Sequence, residues 1–239
     1  VPTIEPVQAL LDNGWGVYEA SQQRSKSTDK DPYTKHMLRI RKLDDFQAPR
    51  RAVVGDGVAE VILINAHDGT ARYHLKAGFF RFVCSNGMMV GSQLAGISIV
   101  HTQNKETTQE VLAAATRVVT ESFPAMLENI NTFQNIRLER SQAYRLAERA
   151  LVLRYGDNVA PILADNLMDL RRPEDEDPTL WNWLNRIQEN TVYGGFETRS
   201  TGYGRRSMVR PIERVSAVTR INAGLWDEAD AIAKEAVAA

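Results

Sequence analysis

The chain has 239 residues, with 29 Lys+Arg against 30 Asp+Glu, a formal net charge of −1, 43% hydrophobic residues and 25% charged ones. These proportions exclude a low-hydropathy disordered chain, a collagen-like fibre and a histone-like basic protein. The single cysteine, Cys84, excludes an intrachain disulfide scaffold. No apolar run approaches the roughly 18 residues of a membrane span. Nor does the sequence open on a basic segment followed by an apolar one, so a cytoplasmic setting without a membrane partner is expected.

In chain order, residues 6–11 read as a short helix closed by Asn13-Gly14, where a residue tolerant of positive φ suits the cap. Residues 15–21 read as a strand, and the polar run 25–32 has turn composition. Residues 35–42 alternate, with His36, Leu38 and Ile40 on one face and Lys35, Met37, Arg39 and Arg41 on the other. Residues 58–64 are apolar at both parities, as a strand covered on both faces would be. Asn65 to Thr70 is a hairpin loop with Asp68-Gly69 as its turn signal. Residues 71–76 alternate again, Arg72, His74 and Lys76 opposing Ala71, Tyr73 and Leu75. Residues 79–84 continue as strand, Ser85-Asn86-Gly87 turns into 88–90, and 96–101 form a last strand.

The second half changes period. Apolar side chains at Val111, Ala115, Val118, Phe123, Met126, Ile130 and Phe133 make one long amphipathic helix, capped by Thr107 and kinked near Pro124. Further helices are expected over 141–154, ending at Tyr155-Gly156, and over 158–171. Residues 172–178 form an acidic, proline-bounded linker, after which Thr179 caps a helix through Leu180, Trp183, Leu184 and Ile187. Trp181 and Trp183, two apart, point differently, one to the core and the other to an interface. A Gly/Tyr/Arg-rich loop spans 193–206, and an Ala-rich helix closes the chain over 226–238. The expected fold class is α+β: an antiparallel β-meander in the N-terminal half packed against the long helix, then a helical C-terminal half. The corresponding domains are residues 1–135 and 136–239, the second containing the basic loop.

Two stretches carry a resemblance. They are Asn65-Ala66-His67-Asp68-Gly69-Thr70 and the run from Gly78-Phe79-Phe80-Arg81 through Phe82-Val83-Cys84-Ser85-Asn86-Gly87. In them the chain closely resembles the phage/plasmid-like family catalogued as domain of unknown function 932. The likeness extends from Gly14-Trp15 to the last helix. It implies a gene of a mobile element and brings no chemistry to transfer. In topology the short helix, Asn13-Gly14-Trp15, meander and long helix are also similar to the core of single-strand annealing recombinases, an analogy of fold.

The near-zero charge is unevenly distributed. Residues 24–51 hold nine Lys and Arg against four Asp, a local +5, and residues 199–220 hold six Arg against Glu213, again +5. Should the faces of Arg39/Arg41 and Arg72/His74/Lys76 coincide, a groove could track phosphates, with Tyr193, Phe196 and Tyr203 stacking bases. His67, Asp68, His74, His101 and Cys84 lack metal-ligand spacing, so no metal is expected. Cys84 sits in an apolar run and reads as inert. Asn86-Gly87 reads as turn geometry, and 201–205 matches no phosphate-loop pattern.

The leading expectation is a non-enzymatic, oligomeric, single-stranded-DNA-binding protein of a mobile element, promoting annealing without a cofactor. Its contacts would be Lys35, Arg39, Arg41, Arg72, His74, Lys76 and Arg81, with Arg205, Arg206 and Arg210 in a second lobe; no catalytic residue is named. The alternative is a protein–protein interaction factor, such as an inhibitor of a host defence system. A third reading, a hydrolase built on His67, Asp68 and His74, lacks a recognisable constellation.

Overall fold

The computed structural model describes residues 2–23, 31, 33–42, 57–68, 71–81, 86–89, 97–99, 106–199 and 207–238. The expected turn at 25–32, the tip of the hairpin loop at Gly69-Thr70, Cys84, His101 and the basic loop over 200–206 lie wholly or mostly outside these residues. Two compact units make up the chain, Val1–Leu127 and Glu128–Ala239.

The first unit is α+β. Helix α1 (Ile4–Asp12) ends on Asn13, and Gly14 turns the chain at φ +77° into strand β1 (Trp15–Gln22). Strands β2 (His36–Lys42), β3 (Gly57–Asn65) and β4 (Tyr73–Arg81) follow as an antiparallel meander. Beyond β4 its free edge is shared. Strand β5 (Asn86–Met89) pairs with residues 78–81, and β6 (Ile97–Ile99) pairs with residues 73–75, so six strands make a sheet five positions wide. Asn86 and Gly87 pair with Arg81 and Phe80. They are ladder residues, which corrects the turn expected there.

Register settles the two faces. Directly paired residues of an antiparallel ladder point the same way. Leu38, Leu63 and Leu75 therefore share one face, and Arg39, Ile62 and Lys76 the other. Helix α1 lies on the leucine face, where Thr3 reaches His36 and Asn65. On β3, Val61, Ile62, Leu63 and Ile64 are all buried, as apolarity at both parities implies.

Helix α2 (Glu106–Arg117) packs beside α1, β4 and β6. The long helix then widens its bonding step: Val118–Ser122 is a π-helical segment, with the Phe123 amide donating five residues back to Val118. Pro124 has no N–H to offer the Thr120 carbonyl, and the wider turn absorbs that missing donor. Helix α3 (Phe123–Asn135) resumes immediately, and the unit boundary falls within it.

In the second unit, α4 (Arg140–Tyr155) ends on Gly156 at φ +66°. The helix expected over 158–171 is reduced to the four residues of α5 (Ala164–Leu167). Its neighbouring carbonyls are held by side chains instead: Asn190 Nδ2 donates to Leu167 and Asp169, and Arg186 to Met168. The acidic segment is likewise docked. Pro173–Asp175 is a 3₁₀ turn, Asp175 is 1% exposed, and its carbonyl accepts from Arg186 at 2.6 Å.

Thr179 caps α6 (Leu180–Tyr193) as expected, its Oγ1 accepting from Asn182 N at 3.2 Å. Helix α6 is buried nearly all round and packs on both α4 and α7 (Val215–Ala238), which starts eleven residues before the expected 226. Trp181 and Trp183 are both buried in this unit, so neither is an interface anchor.

The end of α6 supplies a stability test. Gly194 sits at φ +63°, and a Cβ there would lie 2.5 Å from the Val209 carbonyl oxygen; Gly156 has similar φ with open space around it. Gly156→Ala should cost about 1 kcal/mol from the backbone alone, and Gly194→Ala at least ~2 kcal/mol, because backbone must also move. Urea denaturation of the two variants checks this; equal losses would contradict it.

Candidate nucleic-acid interface

The two sets of basic residues do share a sheet face. Arg39 pairs with Ile62, Ile62 with Lys76, and Ile64 with His74, which brings Arg39, Lys76 and His74 to the same side. They have different fates there.

Arg39 and Arg41 are buried, 5% and 3% exposed, against Glu60, which is fully buried. Arg39 Nε donates to Glu60 Oε1 at 2.6 Å, and its Nη2 reaches the same oxygen. Arg41 donates from Nε and Nη2 to the other oxygen, Oε2, at 3.2 Å each. Glu19 approaches Arg39 at 3.7 Å, and the Arg41 guanidinium lies 3.7 Å from the Tyr18 ring centroid. Two arginines thus face two carboxylates, one of them only partly desolvated. The cluster is neutral and inward-looking, and Arg39 and Arg41 are structural residues here instead of exposed phosphate contacts. Gly78 makes room for it, since Glu60 Cγ and Ile62 Cδ1 lean across the place a Cβ would take, at 3.2 and 2.5 Å.

The other cations remain outside. Lys35 precedes β2 and is half-buried; Arg72 precedes β4 and is exposed; His74 and Lys76 are half-buried on β4. They influence one another. His74 is held below the ordinary imidazole range, first by partial burial and then by the positive charge of Lys76, Lys35 and Arg72. Among the described residues, a group repelled by three cations and shifted by no carboxylate marks a local excess of positive charge at this corner of the sheet.

Arg210 is exposed in the helical unit. Arg205, Arg206 and Tyr203 lie outside the described residues, as does the side chain of Arg81. Of the expected stacking aromatics, Tyr193 is 40% exposed, whereas Phe196 lies 5.2 Å beneath the Arg171 guanidinium. Arg199, counted in the second basic stretch, is tied inward, its Nη2 donating to the Ile162 carbonyl at 3.2 Å.

The hydrolase constellation is dispersed by the fold. His67 meets Thr3 Oγ1 at 2.8 Å, on the side where Thr3 also meets His36 at 3.0 Å, while His74 lies on the opposite sheet face with Lys76. Among the described residues no three metal-ligating side chains cluster.

Glu60 was missed by sequence reasoning, and a signal existed: an acid inside a strand apolar at both parities must find a partner. Arg39 and Arg41, at i and i+2 on the next strand, are that partner.

A family profile described as "Domain of unknown function (DUF932)" matches residues 1–224. The chain belongs to the DUF932 family. It is 31% identical to the UPF0380 protein YafZ of Escherichia coli (strain K12) over 97% of this chain and 81% of that protein. It is 30% identical to the UPF0380 protein YfjQ of the same organism, with the same coverage. No solved structure matches. DUF932 membership fits the resemblance read from residues 63–91, and it carries no chemistry with it.

Removing Glu60 alone would leave two buried guanidiniums facing each other. Glu60→Ala should destabilise the chain by about 3–5 kcal/mol, whereas the triple exchange Arg39→Met, Arg41→Met, Glu60→Leu should come close to the parent. Denaturant midpoints test both. A Glu60→Ala loss under about 1 kcal/mol would show that the cluster is not desolvated as described.

Proposed function

We propose that this DUF932 protein binds single-stranded nucleic acid through the corner formed by Lys35, Arg72, His74 and Lys76. The single observation that carries this reading is the gathering of His74 and Lys76 on one sheet face with Lys35 and Arg72 near enough for their charge, after partial burial, to lower the His74 pKa. Three formal cations within reach of one imidazole, on a sheet face, supply what a phosphate backbone recognises: charge without sequence preference. Arg210 of the helical unit, with the segment containing Arg205 and Arg206, adds a second basic region. Tyr193, exposed, supplies a ring for stacking.

On this reading the protein works as a cytoplasmic homo-oligomer encoded by a phage or plasmid. It promotes annealing by neutralising phosphate repulsion between two strands, with no nucleotide cofactor. Because annealing forms and breaks no covalent bond, a site made only of cations and rings is chemically sufficient for it.

A second reading, a protein–protein interaction factor such as an inhibitor of a host defence system, draws on a different place. Ile4 and Val17 are 65% and 38% exposed where α1 and β1 meet. A stoichiometric host protein that copurifies after nuclease treatment, and is lost on Val17→Asp, would favour it.

Fluorescence anisotropy with a labelled single-stranded oligonucleotide tests the leading reading. Affinity should fall with salt, with a log–log slope near −2 if three phosphates are contacted, at ~0.7 per contact. Lys76→Glu should weaken binding and flatten that slope. Absence of binding at low salt, or a signal indifferent to salt, would reject the reading.

His74 adds a pH signature whose sign is fixed. In the free folded protein it titrates below the ordinary value of about 6.5. As pH drops below that value the unfolded chain takes up a proton that the folded chain refuses. The stability contributed by neutral His74 is thus complete above about pH 6.5 and drains as pH falls toward the depressed folded value. A bound polyanion offsets Lys76, Lys35 and Arg72 and raises the imidazole again, so binding takes up a proton. Affinity should rise as pH falls through the same window, and His74→Gln should abolish that rise while preserving the salt dependence.

A further inference from the structure

Helices α4 and α7 run antiparallel in the second unit, and they are not evenly spaced. At one end Leu153 presses on Gly224, where even a Cβ would come within 2.5 Å of Leu153 Cδ2. One turn on, Arg149 and Glu228 face each other at 3.9 Å, beyond hydrogen-bond reach. Further along, a cavity of about 400 Å³ opens between the helices. Glycine lets the two helices approach closely at the Leu153 end, and the cleft opens at the other.

The walls of this cavity are polarised. Arg145 and Arg149, one helical turn apart, stand on the α4 side; Glu228 and Glu235, two turns apart, stand on the α7 side. Among the described residues Arg145 and Glu235 have no hydrogen-bond or ionic partner. The floor is apolar, formed by Leu138, Leu146 and Ile232, the first two buried. Arg149 and Glu228 pair loosely across the cleft, which leaves the charges of Arg145 and Glu235 on opposite walls without a partner among the described residues. A simple anion is drawn to α4 and repelled by α7, and a simple cation the reverse. Only a ligand carrying both charges is attracted to both walls.

We propose that this cleft binds a small zwitterion of the α-amino-acid type with an apolar side chain. Its carboxylate would lie toward Arg145 and Arg149, its ammonium toward Glu235 and Glu228, and its side chain on the floor between Leu146 and Ile232. The volume suits such a ligand, being within the range of small-molecule pockets. This site lies wholly in the helical unit and does not depend on the nucleic-acid reading.

Isothermal titration calorimetry of the full chain with L-leucine and L-phenylalanine tests the proposal, against N-acetyl-leucine, which lacks the ammonium, and leucinamide, which lacks the carboxylate. Saturable binding of at least one free amino acid at millimolar concentration is expected. Each blocked analogue should bind at least about tenfold more weakly, the loss of one charge-assisted contact. Arg145→Gln and Glu235→Gln are surface changes that leave the fold intact, and each should produce a similar loss. No saturable heat with either amino acid, equal affinity for the blocked analogues, or unchanged affinity in both variants would overturn it. Oligonucleotide binding measured on the same two variants should be unaffected, which separates failure here from failure of the nucleic-acid reading.

Discussion

Glu60 sits fully buried in a central strand of the sheet, and its charge constrains everything around it. A lone carboxylate there would cost several kilocalories per mole, so the neighbouring strand must present cations at the right height. Arg39 and Arg41 do so, each serving one oxygen. The side-chain period of a strand is two, so slipping β2 by one residue would turn both arginines to the leucine face and strand Glu60 without a partner. Apolar pairing alone would tolerate such a slip poorly, and the ion cluster makes it worse. Gly78 on β4 and Tyr18 on β1 complete the arrangement from either side, one by leaving space and the other by offering a ring.

A parallel economy operates in the helical unit, with backbone carbonyls as the acceptors. Arg154 donates to the carbonyls of Thr191 and Arg210, Arg171 to that of Gly194, Arg186 to those of Met168 and Asp175, and Arg199 to that of Ile162. A guanidinium has five donors in a fixed fork, so one side chain can hold two strands of irregular chain against a helix. Residues 157–179 and the described parts of 194–214 can therefore pack with little regular structure beyond α5 and the 3₁₀ turn, because several of their carbonyls accept from arginine side chains. Helix α6 is the post they are tied to. Several of its buried polar residues are bonded: Asn190 to the Leu167 and Asp169 carbonyls, Gln188 to Asn222 at 2.7 Å, Glu189 to Arg172 at 2.9 Å.

What was legible in the sequence follows from these two economies. Period and turn chemistry are local, so α1 with its Gly14 exit, the alternation in β2 and β4, the double-sided burial of β3 and the Thr179 cap could all be read directly. The disturbance at Pro124 was legible as a kink, though its form, a π turn, depends on how the freed carbonyl region rewinds. The failures are non-local. Residues 158–171 have helical composition, yet α5 is four residues long; at and beyond its C-terminus the carbonyls of Leu167, Met168 and Asp169 accept from Asn190 and Arg186, about twenty positions away, which ties down an irregular exit. The acidic run before Thr179 looked like solvated linker, and Asp175 is buried beside Arg186 for the same reason. At the site, strand parity correctly separated the faces. It could not say that one face holds both a neutral buried cluster and a half-buried basic corner.

That division changes how charge in this chain should be counted. A run of nine cations against four anions around β2 suggests a polyanion site along the whole strand. Two of those cations are consumed by Glu60 and Glu19, and their neighbour Lys35 acquires significance only beside Arg72, His74 and Lys76 of a strand more than thirty residues later. Burial is the deciding variable. An arginine with its carboxylate in a dry sheet contributes register, and it offers no field to a ligand, since its charge is already matched within a few ångströms. A lysine or histidine at the strand end, with no carboxylate partner among the described residues, contributes field at the cost of mutual repulsion, which adds to partial burial in lowering the His74 pKa. The basic corner is the part of this sheet where folding leaves an electrostatic debt, and a bound phosphate backbone is the kind of ligand that relieves it.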